Sequence, residues 1–262
     1  MITDRSAQSQ GSDQAPHPHR KIFRILIIDT MDWKAPYPPD DPLTKPGAWF
    51  DRSFKSLIPC RVKNVHWSSR MQPWKEFPFD ISIITGSIRN ARKEDHASRR
   101  LLEWIEWCLN NKKPVLGICY GHQLLAKLAG ARIVSHPHGL QVGNLNLTFI
   151  SQNGLPDCAE RFFANRWLTS HLDMVDEPVS GMGVVASSPA TPVEAFTLGP
   201  CGLGLQFHPE IDRRILEFLW NPHLSHPGKE SIRGKIGSAE SPDTPTIFGE
   251  FIRDWAYRLK TD

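Results

Sequence analysis

The 262-residue sequence contains no apolar run of about 18 residues, so nothing in it reads as a membrane-spanning helix. Its polar start, rich in Ser, Gln, Pro and His, lacks the apolar core of a signal peptide. Charge of one sign is also missing. Thirty-one basic residues against 28 acidic ones leave a net +3, too balanced for nucleic acid or a membrane surface as the main partner. There is no CxxC pair; the five cysteines (Cys60, Cys108, Cys119, Cys158 and Cys201) are odd in number and widely spaced. That argues against a disulfide framework or a zinc knuckle and for a reduced, cytoplasmic setting. Neither GxGxxG nor GxxxxGK[ST] occurs, so no phosphate-cradling loop and no cofactor is expected.

What is present is alternation. Residues 1–21 read as a flexible leader and 22–262 as one domain, with a core over 22–220 and a C-terminal extension over 221–262. The apolar run Ile22–Asp29 reads as a buried parallel strand. Met31–Gly47 holds five prolines and reads as a loop. A first helix is expected over Ala48–Leu57, and strands over Arg61–Trp67 and Asp80–Ile84. In His96–Asn111, Leu101, Leu102, Ile105 and Cys108 fall on one helical face. The charged stretch Arg89–Arg100 is a solvated approach to that helix. Leu116–Cys119 is the next strand, and Tyr120–Ala129 the helix after it. Short strands follow at Ala131–Ser135, Leu145–Ile150, Arg166–His171, Gly183–Ser187, Val193–Leu198 and Gly202–His208, then a helix over Asp212–Trp220. Pro/His/Gly/Ser-rich loops lead from 221 to a last helix, Thr246–Leu259, burying Ile247, Phe248, Phe251, Ile252 and Trp255. The pattern predicts an α/β fold: an open, mostly parallel twisted sheet, helices on both faces, and an antiparallel extension in the second half.

Chemistry concentrates at Gly117-Ile118-Cys119-Tyr120-Gly121-His122-Gln123. A cysteine with glycine two residues before and two after, between a strand and a helix, is a nucleophile elbow, a turn so sharp that bulky neighbours would clash. The helix starting at Tyr120 places partial positive charge beside the Cys119 thiol. The matching base is His208 in Gln206-Phe207-His208-Pro209-Glu210. Glu210, two residues on, can point to the same side and hold the imidazole. The Tyr120 N–H and the Gly86 N–H of Thr85-Gly86-Ser87 are natural oxyanion donors. His136-Pro137-His138, with His122, reads as a solvated turn and not a metal site, since no acidic or thiol partner lies at ligand spacing. Gly199-Pro200-Cys201-Gly202 reads as a hairpin connection, and the nine tryptophans as core and rim aromatics.

The elbow and the His-Pro-Glu motif together resemble the class I glutamine amidotransferases, most closely their stand-alone, GMP-synthase-like members. Ile84-Thr85-Gly86-Ser87 resembles the family's oxyanion turn, and Ser170-His171-Leu172-Asp173 its Ser-His-x-Asp segment. Lys45-Pro46-Gly47-Ala48-Trp49-Phe50 is placed like a loop near the site entrance in stand-alone relatives. The likeness covers about residues 22–220. It implies a flavodoxin-like fold and a Cys119 γ-glutamyl thioester that releases ammonia or an amine. His208 would be base and then acid, and Glu210 its orienting partner. Gln123 and the backbone around His171 and Leu172 would hold the glutamyl group. The implied ligand is glutamine or another γ-glutamyl small molecule. A synthase or ligase partner would use the ammonia, because no ATP-binding loop occurs here. A second reading is a γ-glutamyl peptidase or hydrolase, with the Met31–Gly47 loop admitting a larger leaving group. A third is a catalytically inert binding module, against which the intact Cys119, His208 and Glu210 argue. Cysteine chaperone-hydrolases of related fold share the strand-to-helix cysteine but not His-Pro-Glu at this place.

Overall fold

In the computed structural model, which describes residues 22–31, 41–54, 57, 59–67, 77–152, 154–224, 229–241 and 246–259, the first apolar run forms β1 (Phe23–Asp29). Successive strand residues point to opposite faces. Accordingly Phe23, Ile25 and Ile27 join one core, and Leu26 and Ile28 another. The chain continues through α1 (Pro46–Trp49) and α2 (Asp51–Phe54) to β2 (Cys60–His66), β3 (Ile81–Ile84), α3 (His96–Asn110), β4 (Val115–Ile118) and α4 (Tyr120–Leu128). The second half supplies β5 (Ile133–Ser135), β6 (Gln141–Leu145), β7 (Thr148–Phe149), α5 (Ala159–Phe163), β8 (Trp167–His171), β9 (Asp173–Val175), β10 (Met182–Ser187), β11 (Ala195–Leu198) and β12 (Gly202–Leu205). Then come α6 (Arg213–Trp220), α7 (Glu230–Gly237) and α8 (Thr246–Arg258).

The main sheet has eight strands in the order β2-β1-β3-β4-β12-β11-β10-β7. The first five run parallel, and β11, β10 and β7 add an antiparallel edge. The parallel part follows the 2-1-3-4-5 strand order of flavodoxin-like sheets. Two ribbons, β5-β9 and β6-β8, lie beside it. One core packs α1, α2, α5, α6 and α8 on the first face; the other packs α3 and α4 on the second. α3 opens with a capping box in which Asp95 and Ser98 each satisfy the other's backbone N–H. No described helix is long and apolar enough to cross a membrane.

Several local expectations need correction. The helix expected over Ala48–Leu57 is two short pieces that part at Phe50, and the first begins with Pro46. Proline is tolerated in a first helical turn because no N–H is needed there. Most of the five-proline loop, 32–40, lies outside the described residues, as does the leader. The strand expected over Leu145–Ile150 shrinks to β7 (Thr148–Phe149), and Leu145 instead ends β6, which was not expected. β6 pairs with β8 in the ribbon, and β7 pairs with β10 in the main sheet. Residues 230–237, read as loop, form α7, whose buried Ile236 docks it on the core. α5 and β9 were also not expected.

The last helix is as expected: Ile247, Phe248, Phe251, Ile252 and Trp255 are all buried. Gly249 lets it touch α2, since a Cβ there would stand 2.1 Å from the Ser53 carbonyl oxygen. Gly249→Ala must push the two helices apart. It is expected to lower stability by about 2 kcal/mol or more, seen as a lower urea midpoint at unchanged m-value.

Candidate active site

Cys119 has φ 49° and ψ −96°, and with Lys112 it is one of two non-glycine residues at positive φ among those described. Such strain costs on the order of 1–3 kcal/mol and persists only where the surroundings impose it. The two glycines show why it is imposed. A Cβ on Gly117 would lie 2.3 Å from the Gly121 carbonyl carbon, and one on Gly121 would lie 2.7 Å from the Ile84 oxygen. Strand, turn and helix therefore pack backbone on backbone. The Cys119 N–H donates to Leu205 O of β12 at 2.8 Å, and its Sγ lies 3.8 Å from Ser170 O.

His208 stands three residues beyond β12. Its N–H donates to Leu168 O at 2.9 Å, an isolated bridge that brings β8 against the site. Its Nδ1–H donates to Glu210 Oε1 at 2.8 Å, so the imidazole's other nitrogen, Nε2, is left for the Cys119 thiol. Both side chains are buried. Burial alone would lower the His208 pKa. The Glu210 carboxylate and the neighbouring Cys119 outweigh it and hold the pKa well above the ordinary value.

Gly86 lies against both partners. A Cβ there would be 2.9 Å from His208 Cε1 and 3.5 Å from Cys119 Cβ. Thr30, at the end of β1, fixes this turn, a role the sequence did not reveal. Its hydroxyl contacts Thr85 O (3.2 Å) and donates to Gly86 O (2.9 Å), and its N–H donates to Thr85 Oγ1 at 3.0 Å. In a trans peptide C=O and N–H point opposite ways. With Thr85 O turned to Thr30, the Gly86 N–H points away from Thr30.

The remaining expected residues separate into two groups. Gln123 is buried; its Nε2 donates to Asp173 O at 2.8 Å and Gln206 Oε1 at 3.2 Å. Asp173 O also accepts from His171 Nδ1 at 3.0 Å, and Arg92 Nε donates to its carboxylate at 3.1 Å. Asp173 is thus a hub for Gln123, His171 and Arg92, a role its local sequence does not declare. His171 is buried and its pKa falls to about 3, chiefly through burial and then through His136 and His208. Leu172, by contrast, is 57% exposed and its carbonyl takes the His136 N–H. Tyr120 contributes its backbone to the elbow, while its ring packs in the second core, where burial pushes the phenol up to about 12. His136 is buried, not solvated as expected. Its Nδ1 accepts from the His138 N–H and its Nε2–H donates to Ala190 O, so neither nitrogen is left for a metal. The Gly199–Gly202 turn is a hairpin between β11 and β12, and Cys201 is buried away from the elbow.

The class-I glutamine amidotransferase family model matches residues 50–215. The chain belongs to that family. Over 228 residues it is 28% identical to the glutamine-hydrolysing GMP synthase of Flavobacterium psychrophilum, covering 81% of this chain and 40% of that protein. Over 144 residues it is 30% identical to gamma-glutamyl peptidase 5 of Arabidopsis thaliana, covering 53% of this chain and 56% of that one. The chain thus spans about half the length of these curated relatives. A solved glutamine amidotransferase from Thermotoga maritima has the same fold, with a TM-score of 0.69 at 22% identity over 92% of this chain and 100% of that one. In this class-I chain the elbow, Gly86, His208 and Glu210 lie together.

Two measurements check the geometry. Gly86→Ala places a methyl group against the imidazole and is expected to lower kcat for any Cys119-dependent turnover at least tenfold with folding intact. His122, fully buried, has its pKa lowered to about 3, mainly by burial. Below its unfolded value of 6.5 the unfolded chain takes up a proton there that the native state refuses, so this histidine's contribution to stability falls with pH. Between about pH 7.5 and 5.5 the urea-unfolding free energy of wild type should drop about 1.4 kcal/mol more than that of His122→Gln. A pH-independent difference would sink this assignment.

Proposed function

We propose that the chain hydrolyses the γ-amide of glutamine through a Cys119 thioester and passes the ammonia to a partner synthase or ligase. The observation that carries this is the 2.8 Å bond from His208 Nδ1 to Glu210, which turns Nε2 to the thiol beside Gly86. His208 takes the thiol proton, and Glu210 stabilises the resulting imidazolium. The thiolate adds to the γ-carbonyl carbon. Negative charge collects on its oxygen, where the N–H groups of Gly86 and Tyr120 are the donors within the turn and elbow. The tetrahedral intermediate expels ammonia, which carries the proton from Nε2. Water, deprotonated by His208, then cleaves the thioester to glutamate and restores the thiol. Gln123 and the backbone at His171 and Leu172 hold the glutamyl end. With its amide nitrogen committed to Asp173 and Gln206, Gln123 offers its oxygen to the substrate's ammonium group.

The synthase partner is supported by the GMP synthase relative, of which this chain covers 40%. The Arabidopsis relative supports a second reading, a γ-glutamyl peptidase with the same nucleophile and a larger leaving group.

Glutaminase turnover distinguishes these readings. Cys119→Ala should abolish ammonia release; equal release from variant and wild type would overturn the assignment. Glu210→Gln should lower kcat by about 100- to 10,000-fold with KM little changed, because the imidazole loses its orienting carboxylate while substrate contacts remain. A kcat/KM for glutathione above that for glutamine would select the peptidase.

A further inference from the structure

One edge of β8 touches both the base and the nucleophile of the candidate active site. Leu168 O accepts the His208 N–H at 2.9 Å, and Ser170 O lies 3.8 Å from Cys119 Sγ. In an antiparallel ribbon alternate residues turn their N–H and C=O to the same edge. Leu168 and Ser170, two apart, are such residues, while β6 pairs along the opposite edge. The sulfur is therefore held from two sides, by the His208 imidazole and by the Ser170 carbonyl. A cysteine side chain turns about a single torsion with three staggered wells. The Ser170 carbonyl favours the well in which Sγ meets the imidazole.

Ser170 is in turn anchored from α6. The Trp220 indole N–H donates to the Ser170 hydroxyl at 3.0 Å. An indole nitrogen can only donate, so the direction of this bond is fixed. Trp220 is the last residue of α6, and its ring meets His223 edge-on at a centroid distance of 5.9 Å. The cap of α6, Asp212, follows Glu210 by two residues. The helix that leaves the base and its carboxylate thus reaches back, through Trp220, to the strand facing the nucleophile. Trp220 lies past the matched family segment, which ends at 215.

We propose that Trp220 is a positioning residue for Cys119: its indole N–H fixes Ser170, whose carbonyl holds Sγ against the His208 imidazole. The inference rests on the Cys119–His208 pair of the proposed function and adds a residue to it. Trp220 acts through Ser170 alone. Without the indole N–H, the Ser170 end of β8 loses a tether and the sulfur loses its second contact. Sγ then spends less time against the imidazole, and less of the reactive thiolate forms at neutral pH. Leu219 and Trp220 also pack against the first core. That packing by itself predicts a different result, because a loosened core uncovers the buried Cys119 and makes it more reactive toward reagents in solution.

The test is the rate of Cys119 alkylation by iodoacetamide in the full-length chain, read by mass spectrometry of the peptide that carries Cys119. Trp220→Phe keeps a ring and removes the N–H. It should slow alkylation about threefold or more, within the range that one hydrogen bond is worth. Ser170→Ala removes the same bond from its other end and should slow alkylation by a similar factor. It keeps the test valid should Trp220→Phe fail to fold. The double variant should be no slower than the slower single variant, because all three lack one and the same bond. Unchanged or faster alkylation in either single variant, or two effects that multiply in the double variant, would overturn the proposal. Alkylation requires no turnover of glutamine, so a wild-type chain without glutaminase activity would count against the proposed function and not against this role of Trp220.

Discussion

The backbone contact between Gly117 and Gly121 is the constraint on which the site depends. It lets α4 rise directly from the end of β4, with Gly121 in turn resting on Ile84 of β3. Cys119 has no room for an ordinary φ between these contacts, and its amide is tied to β12 through Leu205 O. β4 lies between β3 and β12 with all three parallel, so their C-terminal ends open at one edge of the sheet. Gly86 follows β3, Cys119 follows β4, and His208 follows β12. Strand order alone therefore delivers Gly86, Cys119 and His208, the proposed oxyanion donor, nucleophile and base, to one place.

Electrostatics then distinguishes groups that burial treats alike. His171 and His208 are both 5% exposed. Desolvation opposes the charged form of each, yet one pKa falls to about 3 and the other rises well above 6.5. The chief difference is the partner of Nδ1, to which Cys119 adds at His208 and the neighbouring histidines at His171. His171 donates to a carbonyl, which fixes a tautomer without supplying a charge, whereas His208 donates to a carboxylate. A neutral His171 is suited to lining a pocket. A readily protonated His208 is suited to taking a proton from a thiol.

The parts of the site legible in the sequence are those whose chemistry is local. Glycines two residues before and after Cys119, and His208 two residues before Glu210, declare themselves at any fold. So did the strands of the parallel sheet, where both faces are buried and the apolar run is continuous. Thr30 was invisible because its partner, Thr85, is 55 residues away and only the β1-β3 register brings them together. Glu194 falls in the strand expected over Val193–Leu198, and nothing in Val193-Glu194-Ala195 says that its side chain is completely buried. α7 was missed for a related reason. Its two glycines and polar surface read as loop, and what holds it is the docking of Ile236 on a distant core.

The support for His208 reaches into residues beyond the matched family segment, which ends at 215. Phe207, its immediate neighbour, is fully buried and stacks on Trp167 at a centroid distance of 5.9 Å. Trp167 packs on Phe162, and Phe162 stacks face to face on Phe251 of α8 at 4.2 Å. Phe248, one turn earlier on α8, also meets Phe162. This aromatic chain links the base of the site to the last helix through side chains that do no chemistry. A base that must hold one nitrogen on a carboxylate and the other toward a thiol tolerates little rotation, because a shift of about 1 Å can remove much of a positioned group's effect. Rings locked in a close-packed core are stiff in the way that this requires. α8 is thus packed, through these rings, against the residue next to His208, although its sequence carries no motif of the site.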